Sequence, residues 1–111
     1  MGGRGMKNIM ISQPMNGLTA EEINEVKSEA IKVLDEIYGS SYQIKDTFFH
    51  FDDERLKTEG VTNISLFYLA ASLEVMSQCD GVYFCEGWRN NRGCVIEHQA
   101  AELYGVEIIK D

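Results

Sequence analysis

Short runs of adjacent apolar residues alternate along this chain with longer stretches in which apolar positions recur every third or fourth residue. The first run, Ile9-Met10-Ile11 within Lys7 to Ser12, is continuous rather than alternating, as in a strand covered on both faces. From Thr19 onward, Ile23, Val26, Ala30, Val33, Leu34 and Ile37 keep helical spacing with charges between them. Thr19 and Glu22 have the spacing of a capping box, and Gly39 suits the helix end. A second strand is expected over Ile44 to Phe49, and the polar segment Asp52 to Gly60 reads as an exposed loop. Thr62 or Asn63 can cap a second helix running to about Gln78. Ile64, Leu66, Phe67, Leu69, Leu73, Val75 and Met76 make that helix apolar on more than one side, so it should cover both the sheet and a partner chain. Gly81 to Cys85 predicts a third strand, Glu86 to Arg92 a loop, and Gly93 or Cys94 to Tyr104 a third helix closed by Gly105. Val106 to Ile109 completes the pattern as a fourth strand.

Strands alternating with helices predict a parallel sheet wrapped on both faces through right-handed crossovers. The expected architecture is α/β, three layers with four parallel strands; a flavodoxin-like (Rossmann-like) order, 2-1-3-4, which the family resemblance described below implies, would make the first and third strands neighbours. The length of 111 residues indicates one domain, taken here from residue 7, after a first stretch that reads as a loose tail or tag remnant.

Composition narrows the function. Eighteen acidic residues against ten basic give a formal charge of −8, which disfavours a nucleic-acid polymer but not a small nucleoside in a local pocket. Three cysteines, at 79, 85 and 94, are odd in number and lack C-x-x-C spacing. Neither a disulfide framework nor a zinc site is expected, and a reducing, cytoplasmic setting fits. No apolar run has the length of a signal or membrane segment. His50 and His98 are isolated, so no metal is expected, and no cofactor either.

In open α/β sheets, ligands bind beyond the carboxyl ends of the strands. Two loops leave such ends with unusual residues, Ser12-Gln13-Pro14-Met15-Asn16-Gly17 and Glu86-Gly87-Trp88-Arg89-Asn90-Asn91-Arg92-Gly93. The strand order makes them face each other. Glu97, one turn into the third helix, has only small neighbours on its face: Gly93, Cys94, Ala100 and Ala101. This either leaves room for a ligand beside a carboxylate that the helix N-terminus favours as an anion, or reflects a solvated glutamate among good helix formers. Trp88 can stack on a base or sugar, or simply anchor its loop. Arg89 and Arg92 can meet a phosphate or stay solvated. Cys94 stands at a helix start, where a thiol can acidify, but has no clear histidine partner. Asp80 precedes the third strand, at the opposite end of the sheet, and reads as a turn residue.

The stretches Ile11-Ser12-Gln13-Pro14-Met15-Asn16-Gly17 and Cys79-Asp80-Gly81-Val82-Tyr83-Phe84, with Gly87-Trp88 and Arg92-Gly93-Cys94 followed by Glu97, resemble a small bacterial and phage family of unknown function. That family is related to the nucleoside 2-deoxyribosyltransferases and deoxynucleotide N-hydrolases. The resemblance spans Lys7 to Ile109. It implies a nucleoside 2-deoxyribosyltransferase-like domain in which Glu97 is the catalytic nucleophile at the anomeric carbon. Ser12, Gln13, Met15, Gly17, Gly87, Trp88, Asn91 and Gly93 would bind a nucleoside or nucleotide. It also implies a homodimer or higher homo-oligomer whose pockets are completed by a neighbouring chain. Three positions depart from the pattern. Asn91 stands where the transferases often carry an aspartate, Ser72 where relatives tend to carry another, and Gln13 where they favour glycine. The expected activity is cleavage or transfer of an N-glycosidic bond; the alternative is a nucleotide-binding module that kept the pocket without the chemistry.

Overall fold

A computed structural model describes residues 6–47 and 49–111. The expectation of a loose tail falls on residues 1–6, of which 1–5 lie outside the described residues. Four strands, β1 (Lys7–Ser12), β2 (Tyr42–Ile44), β3 (Gly81–Phe84) and β4 (Glu107–Lys110), form one sheet. Its order is β2-β1-β3-β4 with every pair parallel, as the alternating pattern predicts.

Side-chain alternation along the two central strands divides the core in two. Ile9, Ile11, Tyr83 and Cys85 face α1 (Ala20–Tyr38), which contributes buried Ala30 and Leu34. Met10, Val82 and Phe84 face the opposite way, where Met76 of α3 (Ile64–Met76) and Cys94 and Ala101 of α4 (Arg92–Tyr104) pack with Trp88. Both faces of β1 and β3 are covered, which is why these strands read as continuous apolar runs. The capping box of α1 forms in full: Glu22 N–H donates to Thr19 Oγ1 at 3.1 Å, and Thr19 N–H donates to Glu22 Oε1 at 2.9 Å.

Two expectations are corrected. The Asp52–Gly60 segment contains a short helix, α2 (Asp53–Thr58). Asp52 caps it by accepting from Arg55 N–H at 3.2 Å, Leu56 is buried beneath it, and the Tyr68 hydroxyl reaches Asp53 at 3.0 Å. A single buried leucine among charges gives no visible helical period, so composition alone suggests a loop. The second strand spans Tyr42–Ile44 rather than Ile44 to Phe49, so only Ile44 is common to both. Its ladder to β1 spans Lys7–Ile9 against Tyr42–Ile44, with one further bond from Lys45 N–H to the Ile9 carbonyl at 2.8 Å. Beyond it, Phe49 stacks on Phe51, which meets Phe67 and Tyr68 of α3 edge-on. The apolar residues that suggest a longer strand fasten this connection to α3.

Candidate functional site

The loops after β1 and β3 meet at one end of the sheet. Ser12 pairs with Phe84, and Cys85 N–H donates to the Ser12 carbonyl at 2.9 Å, so both strands release their loops at the same level. The loops touch: a Cβ placed on Gly87 would lie 3.7 Å from Pro14 Cγ. Gly87 itself has φ +89°, a left-handed conformation costly for other residues, and it turns the chain into the 3-10 turn Trp88–Asn90. Asn91 then starts α4 by accepting from Cys94 N–H at 3.0 Å through its side-chain carbonyl.

Between these loops, α3 and the first turns of α4 lies a cleft of about 550 Å³. Glu97 is 8% exposed in its wall. The Ser12 hydroxyl donates to Glu97 Oε1 at 2.6 Å, and Ser72 on α3 borders the same cleft, where its hydroxyl also favours the carboxylate. Burial pushes the Glu97 carboxyl above its ordinary range, while the hydroxyls of Ser12 and Ser72 pull in the opposite direction. The expected help from the helix N-terminus therefore does not decide its charge. Glu97 lies beyond the first turn, where the dipole effect has faded, and desolvation dominates.

Of the residues singled out from the sequence, Ser12, Gln13, Met15, Asn91, Gly93 and Glu97 border the cleft. Gly17, Gly87 and Trp88 do not. Trp88 is only 7% exposed. Its ring stacks on His98, with centroids 4.0 Å apart and planes 11° from parallel, and tilts against Phe84 at 5.5 Å. The Arg89 guanidinium lies 4.5 Å from the ring centroid. Trp88 is thus an anchor of the β3–α4 loop in the core rather than an open platform for a base. His98 is held from its other side of the sequence by Asp111, at 3.0 Å.

The small neighbours of Glu97 also divide. Gly93 and Cys94 border the cleft, whereas Ala101 is buried in the core and Ala100 packs against it. Cys94 is no activated thiol. Burial, reinforced by the nearby Glu97 carboxylate and only partly offset by Ser12, pushes it up to about 11. Asp80 accepts from Asn8 N–H at 2.7 Å at the far end of the sheet, as its turn reading predicts.

The cleft has further walls that periodicity did not single out as site residues. Ile64, Leu66, Tyr68, Leu69 and Ser72 all come from α3, and Thr47 and Phe49 from the segment after β2. The signal was present in the second apolar side of α3, which here lines the cleft. Among the described residues bordering the cleft, Glu97 is the single carboxylate. No helix among the described residues is long and apolar enough to cross a membrane.

A family model described as a domain of unknown function (DUF4406) matches residues 7–110. No curated protein and no solved structure matches the chain significantly.

Proposed function

We propose, for a chain that belongs to the DUF4406 family and inherits no established activity from it, that the cleft cleaves or transfers the N-glycosidic bond of a 2-deoxynucleoside or deoxynucleotide, with Glu97 as nucleophile. The observation that carries this reading is a buried carboxylate held by the Ser12 hydroxyl in a cleft of about 550 Å³, a volume within the range of small-molecule sites. A glutamate so placed has a fixed oxygen to aim at an electrophilic carbon. Glu97 would attack the anomeric carbon, the carbon–nitrogen bond would break with its electrons passing to the base, and a glycosyl ester would form. Water or a second base would then attack the same carbon and free the glutamate.

Ser12 and Ser72 favour the ionised form against the cost of burial, which a nucleophile requires. The leaving base would take its proton from solvent, because no second carboxylate borders the cleft among the described residues. The expected enzyme is therefore slow, since a positioned acid typically contributes about 100- to 10,000-fold. The same observation supports a second reading, a nucleotide-binding module without turnover. The N-cap bond of Asn91 strengthens it by committing the side-chain carbonyl at the position where the resembled transferases carry an acid. Self-association through α3 belongs to the proposal as well: Leu66 is 58% exposed and Ile96 41% exposed, and both border the cleft, where a second chain would close it.

The test is incubation with a panel of deoxynucleosides and deoxynucleotides, followed by chromatography for free base. Base release that disappears in Glu97→Gln is the expected result. Saturable binding without release, in both proteins, would leave the binding module standing instead.

A further inference from the structure

The main chain of β1 has an open end between two cavities. Lys7 N–H donates to the Ser41 carbonyl at 3.0 Å, and the Ile9 carbonyl accepts from Lys45 N–H at 2.8 Å. Alternate residues of β1, counted from Lys7, therefore turn their peptide groups toward β2. The residues between them turn theirs toward β3, as the bond from Cys85 N–H to the Ser12 carbonyl records. Ile11 is the next residue aimed at β2, and β2 has already ended at Ile44. Neither the N–H nor the carbonyl of Ile11 has a hydrogen-bond partner among the described residues.

Ile11 is nevertheless buried, and an unpaired peptide group withdrawn from water costs as much as a lost hydrogen bond. The place where the ladder breaks is also where two spaces meet. Ile11 borders the Glu97 cleft and, on the other side, a pocket of about 300 Å³ between the first half of α1 and the carboxyl end of β2. Gln13, Met15 and Thr47 border both spaces as well, so they rim the same gap. The gap lies next to the carboxylate, because Ser12, the residue after Ile11, donates to Glu97.

We propose that the Ile11 main chain is a recognition edge for the ligand of this cleft, taking a flat molecule whose rim carries a hydrogen-bond acceptor beside a donor. Identifying that molecule as the base of a deoxynucleoside rests on the glycosidic reading; the edge itself does not. Adenine has the pattern, with N7 accepting beside an N6 amino group that donates, whereas guanine presents two acceptors, N7 and O6, on the same side. Ile11 N–H would donate to N7, and the N6 amino group would donate to the Ile11 carbonyl. The base thus takes the place that a longer β2 would have filled, as an extended peptide does at a free sheet edge.

The experiment uses the full chain and two-dimensional amide NMR, with adenine, N6-methyladenine and N6,N6-dimethyladenine as probes. Without ligand, the Ile11 amide should exchange with deuterium about tenfold or more faster than those of Met10 and Ser12, which face β3. Adenine and N6-methyladenine keep an N6 proton; both should bind saturably, move the Ile11 amide proton downfield and slow its exchange. N6,N6-dimethyladenine lacks that proton and should bind about tenfold or more weakly, the effect of one lost hydrogen bond. Replacing Ile11 by its α-hydroxy analogue puts an ester oxygen where the N–H was and leaves the bonds to β3 in place; adenine should weaken by the same factor. Glu97→Gln should leave adenine binding intact. An Ile11 amide as protected as its neighbours in the free protein, no saturable adenine binding, equal affinity for adenine and its dimethyl form, or an ester variant that binds like the parent would each overturn the proposal. Base release from deoxyadenosine without any effect at Ile11 refutes the edge alone. The expected effects at Ile11 without base release refute the glycosidic reading alone.

Discussion

Replacing Ser12 with alanine should destabilise the protein by an amount that depends on pH. The hydroxyl donates at 2.6 Å to a carboxylate that is almost wholly withdrawn from water. A hydrogen bond to a charged group contributes about 1.5–3 kcal/mol, against about 0.5–1.5 kcal/mol between neutral groups. When Glu97 is ionised, Ser12→Ala should therefore cost about 1.5–3 kcal/mol. For a domain of this length that lowers Tm by roughly 6–12 °C. Under acid conditions Glu97 is protonated and the cost should fall to the neutral value. The direction follows from linkage. Burial raises the folded-state pKa of Glu97 above its ordinary value, so the unfolded chain releases its proton first. In the interval between the two, the folded state holds more protons, and stability declines as pH rises through it. Removing Ser12 raises the folded pKa further and extends that decline. Urea unfolding of both proteins across a pH series measures the difference, and 13C-detected titration of the glutamate carboxyls locates the proton. An identical Ser12→Ala penalty at both ends of the series would refute this account of how the site is held.

Other outcomes follow from the same geometry. Glu97→Gln should remove any glycosidic activity by about 1,000-fold or more while preserving ligand affinity, measured by single-turnover kinetics beside calorimetry. It should also remove the pH dependence of stability that Glu97 contributes above the ordinary carboxylate range, because no buried carboxylate is then left to ionise among the described residues. Trp88→Ala should cost about 3–5 kcal/mol in urea unfolding, since the indole fills the space between Phe84 and His98; a loss below 1 kcal/mol would contradict its role as a core anchor. With iodoacetamide at neutral pH, Cys79 should be alkylated first, because Cys85 and Cys94 are buried and pushed up to about 12 and 11. Peptide mass spectrometry of a time course reads the order directly.

The sheet was legible because its central strands are buried on both sides. Ile9-Met10-Ile11 and Val82-Tyr83-Phe84 have no polar interruption to confuse the pattern, and their adjacency follows from topology. The meeting of Ser12 with Glu97 was within reach of the same reasoning, as strand-end geometry brings both loops together. The partner of Trp88 was not. Nothing local in the sequence says that a tryptophan in a polar loop turns inward onto His98, ten positions away, rather than outward to a ligand. The end of β2 was hidden for a related reason. Phe49 and Phe51 look like strand residues, yet their apolar surface is used against Phe67 and Tyr68, contacts fixed by tertiary structure alone. The two apolar sides of α3 were visible, but a groove wall and an interface leave the same mark in a sequence.

The hydrogen bond from Ser12 to Glu97 joins residues 85 positions apart, and the strand that carries Ser12 can complete its ladder only when β3 arrives. During synthesis, Ile11 can already pack on α1, whereas Met10 must wait uncovered until Met76, Val82 and Phe84 arrive in the last third of the chain. Contacts of such sequence separation slow folding. They also make the cleft an all-or-none object, absent from the nascent chain until α4 has emerged. The site is thus either complete or absent, and the unfinished chain exposes apolar strand surface of the kind that makes folding intermediates prone to aggregate.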